Sequence, residues 1–275
     1  MAIEFKPAEE FQSGNPGIYL GVPEEEYHEY PAASNSTLFL LEQNPGNVPW
    51  SKKAPTVETD AATDLGSLVH LLALTPELFD STYIVAPICD RRTTQGKKDA
   101  AAFEWQVQQS GQIVIEDSLK RKADNMVASM LAHPEFYRIL TAADLKTEVS
   151  ILWVDEQTGV LCKCRCDTLV PIEGQAIVMD LKTTADIDNV KYSIRDYGYA
   201  QQQVHYTEGL KAVGFSFVHW YFGFVSSTVQ LKRYPVRFIQ LRGETVEEAE
   251  FKQRRRLRDF AYALKNNDWY GVEEI

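Results

Sequence analysis

A chain of 275 residues, 44% of them hydrophobic, is long enough to bury a sizeable core, and nothing in its composition suggests disorder. Its formal net charge of −11 excludes a uniformly basic nucleic-acid binder, although an acidic exterior can coexist with a local basic channel. With no secretory signal and no spanning apolar run, the sequence is expected to be cytoplasmic and to have no membrane partner.

Residues 1–30 are mixed and end in Glu24-Glu25-Glu26-Tyr27-His28-Glu29-Tyr30, which reads as an N-terminal arm, either solvated or an oligomer contact. Ser34-Asn35-Ser36 is a polar cap before a short helix that stops near Asn44-Pro45-Gly46; Ser36 at that helix start could meet a phosphate, or the segment simply caps the helix. After a Pro-containing loop from Lys52 to Thr59, Asp60–Leu74 predicts a buried helix. On it Gly66 and His70 stand one turn apart, so the glycine permits a close approach on the face from which the histidine projects. Arg91, Arg92, Lys97 and Lys98 form the clearest local basic cluster, a solvated loop or a nucleic-acid contact. Residues 117–142 read as a helix broken at His133-Pro134, which makes 31–140 mainly helical.

The sheet follows, within 141–241. Alternation through Thr147–Val154, the turn Glu156–Gly159 and a second strand predict a hairpin. If Asp155 pairs with Val160, Glu148 sits directly opposite Asp167, and two facing carboxylates call for a shared proton or a cation. Cys162, Cys164 and Cys166 recur at every second residue and so share the other face, as reduced core thiols. In the next strand Asp180 and Lys182 point the same way, as a simple ion pair or as part of a site. A helix over 197–213 carries Gln202 and Tyr206 on one face; an aromatic strand and a Pro235-demoted edge strand come next. Thr245-Val246-Glu247-Glu248 reads as a capping box opening a C-terminal helix in 242–275; most of its arginines 254, 255, 256 and 258 read as a solvated face, with DNA contact as the alternative. The whole is expected to be a single domain.

Oxygen ligands from Glu148, Asp167 and Asp180, with the Leu181 backbone carbonyl, suit a hard cation such as Mg²⁺ or Mn²⁺. Beside such an ion Lys182 can orient a nucleophile and screen charge in phosphodiester hydrolysis.

The ordered set Gly66-x-x-x-His70, Glu148, Asp167, Asp180-x-Lys182 and Gln202-x-x-x-Tyr206 resembles the PD-(D/E)XK nuclease superfamily. It is most similar there to RecE-type phage and prophage exonucleases, which are related to lambda exonuclease and the RecB nuclease domain. That resemblance implies an α/β fold with a mixed central β-sheet flanked by helices. It also implies a Mg²⁺-dependent 5′→3′ exonuclease that acts on double-stranded DNA ends and leaves 3′ overhangs for a RecT-type annealing protein. A homo-oligomeric ring, trimer or tetramer, in a bacterial host cytosol belongs to the same implication. So do the roles: His70, Glu148, Asp167 and Asp180 around the metals, Lys182 catalytic, Gln202 and Tyr206 on the cut strand, with Arg91, Arg92, Lys97 and Ser36 as further substrate contacts. The first acid stands in Cys164-Arg165-Cys166-Asp167 with no proline before it, a departure from the superfamily pattern. Alternatives are an iron–sulfur-bearing CRISPR-associated or helicase-associated nuclease of the same superfamily, a non-catalytic DNA-binding relative, and a Ca²⁺-stabilised structural domain.

Overall fold

The computed structural model describes residues 3–54 and 61–270. The expected helix start at Asp60 and the end of the preceding loop lie outside the described residues. The first part of the chain runs β1 (Phe5–Pro7), β2 (Gly17–Leu20), α1 (Glu24–Glu29), α2 (Asn35–Gln43), α3 (Asn47–Ser51) and α4 (Ala61–Leu74). The middle part is α5 (Phe79–Thr82), β3 (Tyr83–Val85), α6 (Thr94–Ser110), β4 (Ile113–Ile115), α7 (Asp117–Leu131) and α8 (Pro134–Leu140). Then come β5 (Lys146–Val154), β6 (Leu161–Ile172), β7 (Gln175–Thr184), α9 (Val190–Asp196), α10 (Tyr199–Ala212), β8 (Phe217–Ser226), β9 (Val236–Ile239) and α11 (Glu244–Asn266).

Seven strands form one mixed sheet in the order β1-β2-β5-β6-β7-β8-β9, and β3 and β4 pair separately. The β5–β6 hairpin has the register its turn dictates: Asp155 N–H donates to Val160 O at 2.9 Å, and the Asp155 carboxylate accepts from Thr158 N and Oγ1. The pairs Thr147–Thr168 and Val149–Cys166 then place Glu148 across from Asp167, as the sequence predicts. β7 and β8 run parallel, joined by the crossover through α9 and α10. That crossover lays α10 over the sheet face bearing Ile151, Trp153, Cys162, Cys164 and Val178, while α4, α7 and α8 cover the face bearing Val170, Met179, Leu181 and Val225. The three strand cysteines are buried, free thiols, which is the expected back face.

Several expectations need correction. Residues 3–30 are not an arm, because β1 and β2 extend the sheet, and Phe11, Tyr19 and Tyr27 pack as a small core of their own. Lys163 fixes this segment, its ammonium donating to the carbonyls of Tyr27 (2.5 Å), His28 (3.0 Å) and Tyr30 (2.7 Å) at the end of α1, where a cation complements the helix dipole. No capping box opens α11: Gly243, at φ 58°, is its N-cap and Thr245 already lies inside the helix. Nor is its arginine face fully solvated. Arg256 is buried against Glu42 of α2, and Arg254 bridges Asp155 (2.9 Å) and Glu208 (2.6 Å), so α11 is clamped to both the hairpin turn and α10. The sequence reads Asp186–Tyr192 as a polar connector, but α9 begins within it at Val190. The edge strand is confined to Val236–Ile239, starting just after Pro235.

Candidate metal centre

β6 and β7 pair only at Val170–Ile177, Pro171–Ala176 and Ile172–Gln175, and beyond that point they diverge. Side chains take over the ladder: Thr168 Oγ1 accepts from Met179 N (2.8 Å) and donates to Met179 O (2.9 Å), and Asp167 Oδ2 accepts from Leu181 N (2.7 Å). In a strand the C=O and N–H of one residue point to the same side, so the Leu181 carbonyl also opens on this gap. Asp167 leaves β6 on the face opposite the cysteines, whereas Asp180 leaves β7 on the face shared with Ala176 and Val178, the cysteine side. Asp180 stays outside the cluster formed by His70, Glu148 and Asp167, though Asp167 is near enough to raise its carboxyl electrostatically.

On the α4 side, ligand atoms of His70, Glu148 and Asp167 all lie within 4.8 Å of one another, with His70 Nδ1 3.8 Å from Asp167 Oδ2. Gly66 explains how α4 comes so near: a Cβ there would stand 3.3 Å from Thr183 Oγ1 of β7, so a bulkier side chain pushes the helix and His70 outward. Gly66→Val is expected to cost roughly 1–3 kcal/mol by overpacking and to weaken Mn²⁺ binding in calorimetry. Unchanged Mn²⁺ affinity would separate His70 from the metal.

On the α10 side, Asp180 is 1% exposed and receives Lys182 Nζ at 2.6 Å and Gln202 Nε2 at 2.6 Å. Lys182 stands over the Tyr199 ring at 4.8 Å. Burial alone would lower its pKa, but Asp180 and Asp167 outweigh that and hold the ammonium protonated. Burial, and then Asp167, raise the Asp180 carboxyl, with Lys182 opposing. Glu148 is pushed up to about 7, first by burial and then by Asp167. Its backbone sits at φ 53°, a left-handed conformation that costs a non-glycine residue of order 1–3 kcal/mol and clusters at functional sites.

The residues expected to contact the substrate are placed as follows. Gln202 spends its amide on Asp180, and Tyr206 packs edge-on against Trp220 with rings 5.4 Å apart. Arg91 pairs with Glu104 and Arg92 with Asp90, while Lys97 is exposed on the first turn of α6. Arg91 also lines a cavity of about 530 Å³ with Cys89, Phe103 and Val107. Ser34, not Ser36, caps α2, accepting from Thr37 N at 3.1 Å; Ser36 is exposed. Three contributors were missed. Thr168, next to Asp167, bridges the strand gap; Tyr199 lies beside Lys182; and Glu24 in α1 is near enough to Glu148 to raise it electrostatically. Thr168 had a sequence signal in its adjacency to Asp167, and Tyr199 in standing three residues before Gln202 on the same helix, but Glu24 was hidden in an acidic run.

The set fits a hard divalent ion. Its donors are carboxylates, one imidazole and a carbonyl, and crowded acids with a raised carboxyl are what a cation relieves. Among the described residues no cysteine joins a metal-ligating cluster.

A family model described as a PDDEXK-like domain of unknown function (DUF3799) matches residues 46–269. The chain belongs to this PDDEXK-like family. The matched span runs from before α4 to just past α11 and so holds His70, Glu148, Asp167, Asp180, Lys182 and Gln202, while β1, β2 and Glu24 precede it. Among solved structures, a candidate exonuclease from Eubacterium rectale superposes with a TM-score of 0.60 at 16% identity, covering 90% of this chain and 88% of its own, which supports the fold. A phage related exonuclease from Haemophilus somnus aligns over 64% of this chain and 85% of its own at 14% identity and a TM-score of 0.32. No curated protein matches the sequence. The PDDEXK-like assignment agrees with a seven-stranded mixed sheet flanked by helices. Among the described residues no helix is long and apolar enough to cross a membrane.

Proposed function

We propose that this PDDEXK-like protein is a Mg²⁺-dependent 5′→3′ exonuclease that degrades one strand of linear double-stranded DNA from its ends and leaves 3′ overhangs. The observation that carries the hydrolytic part is the convergence of His70, Glu148 and Asp167 ligand atoms within 4.8 Å of one another, next to the Asp180–Lys182 pair. Mn²⁺ would substitute, because the same oxygen-rich set accepts it. His70, Glu148, Asp167, Asp180 and the Leu181 carbonyl would hold the metal. Bound there, it would lower the pKa of a water and neutralise charge on the phosphate.

The chain's own groups do the rest. Gln202 fixes the rotamer of Asp180, which in turn keeps Lys182 charged and aimed at the site, so the ammonium can hold the attacking water and screen the charge that develops on the phosphate. Asp167 is held by the Leu181 amide, which presents its second oxygen to the site. End-dependence, strand polarity, a ring-shaped homo-oligomer and delivery of the overhang to a RecT-type annealing protein rest on the resemblance to RecE-type exonucleases. Covalently closed circular DNA in Mg²⁺ should stay intact while the same DNA, linearised, is degraded. Cutting of the circle would replace the exonuclease reading with an endonuclease.

The iron–sulfur alternative is disfavoured because Cys162, Cys164 and Cys166 are packed in the apolar core and Cys89 lies apart, beside α6.

A further inference from the structure

Three neighbouring rings run from the core to an exposed tyrosine near Lys182. Phe222 is fully buried in β8; Tyr199 stacks on it with centroids 5.7 Å apart and planes at 25°; Tyr197 lies beside Tyr199 with centroids 5.7 Å apart and its ring tilted by 32°. The inner end is fixed in the core, and the outer ring is 63% exposed. Lys182 Nζ, paired with Asp180, stands over the middle ring.

The turn between the two tyrosines is built to hold this geometry. Gly198 lies at φ 66°, and a Cβ there would stand 3.3 Å from both Gln201 Oε1 and Phe39. That left-handed residue caps α10, directly after the Tyr197 that caps α9, and so sets Tyr197 beside Tyr199. On the preceding helix, half-exposed Tyr192 has Lys191 Nζ at 5.0 Å and Arg195 Cζ at 5.3 Å from its ring. A single exposed aromatic on a surface needs no explanation. Tyr197 differs because its exposed ring adjoins Tyr199, over which the Lys182 ammonium stands.

We infer that Tyr197 is a stacking platform for a nucleobase that flanks the scissile phosphate, backed by Tyr199 and Phe222. An extended aromatic face beside a phosphate-cleaving site suits a flat, uncharged π-system, and every base offers one, so the contact is indifferent to sequence. It also suits an acidic chain: stacking holds the strand without the excess of cations that the composition lacks. This inference rests on the nuclease reading.

Steady-state hydrolysis of linear DNA in Mg²⁺ by the full chain tests it. Tyr197→Ala should raise KM roughly tenfold, within the range of one lost base stack, while kcat changes little. Tyr197→Phe, which keeps the ring, should match the unmodified protein. DNA with abasic sites at its terminal nucleotides should abolish the difference between Tyr197→Ala and the unmodified protein. An unchanged KM in Tyr197→Ala overturns the inference, and so does an equal rise on abasic DNA, which would mean that the tyrosine acts on the backbone or on the fold. If the unmodified protein hydrolyses no nucleic acid, the nuclease reading fails first. If it does hydrolyse DNA with no dependence on Tyr197, the stacking role alone fails.

Discussion

Asp180→Asn is expected to slow hydrolysis of linear DNA by about three orders of magnitude or more while the protein still folds. The substitution keeps the volume of a side chain that is almost wholly buried, and an asparagine oxygen can still accept the Gln202 amide. What is lost is the charge. Lys182 would be left with Asp167 as its remaining acid, and the metal would lose one of three carboxylates. Because burial and Asp167 already press the Asp180 carboxyl toward its neutral form, removing its charge relieves a strain in the metal-free fold. Thermal melting should therefore shift by no more than a few degrees. Initial rates on linear DNA, with melting curves alongside, decide the matter: near-normal rates would move the active site elsewhere, and an unfolded variant would mean that Asp180 is chiefly structural.

In metal-free protein, stability should fall between pH 4.5 and pH 7 because of Glu148. Its carboxyl titrates at about 7 in the fold against an ordinary value of 4.5. Between those values the folded state binds a proton that the unfolded state has released, so raising the pH favours unfolding. The penalty is absent below the lower value and complete above the upper one, amounting to about 3 kcal/mol. Asp180 is shifted in the same direction, so the informative quantity is the difference between the unmodified protein and Glu148→Gln, in which this contribution disappears. Adding Mg²⁺ or Mn²⁺ at neutral pH should recover the lost stability, since the ion binds the deprotonated form. Denaturant titrations across the pH range provide the check, and parallel pH profiles for the two proteins would refute the assignment.

How much of this was legible in the sequence depended on the distance over which each contact acts. The hairpin was legible because a four-residue turn fixes register locally, and register alone sets Glu148 across from Asp167. The cysteine face followed from strand alternation. β1 was not legible: Phe5–Pro7 is too short to show a period and ends in proline. The burial of Arg256 could not be read either, because its acid partner Glu42 lies 214 residues away in another helix. The capping box failed because left-handed Gly243 starts α11 just ahead of the expected threonine. Gln202 was placed on the helix face that meets the site, but its partner depends on how the crossover lays α10 over the sheet, which periodicity does not encode. That β6 leaves the β7 ladder on the N-terminal side of Val170 had no sequence signal beyond the presence of Thr168, a residue able to replace a ladder rung with its hydroxyl.

That divergence has a mechanical consequence. Three ladder pairs join β1-β2-β5-β6 to β7-β8-β9, and past them the seam is spanned by the side chains of Thr168 and Asp167. An ion gripped by Asp167 on one side and Asp180 on the other would work as a rivet across that seam, so the two halves of the sheet would be drawn tight at the place, and in the state, in which the chemistry occurs.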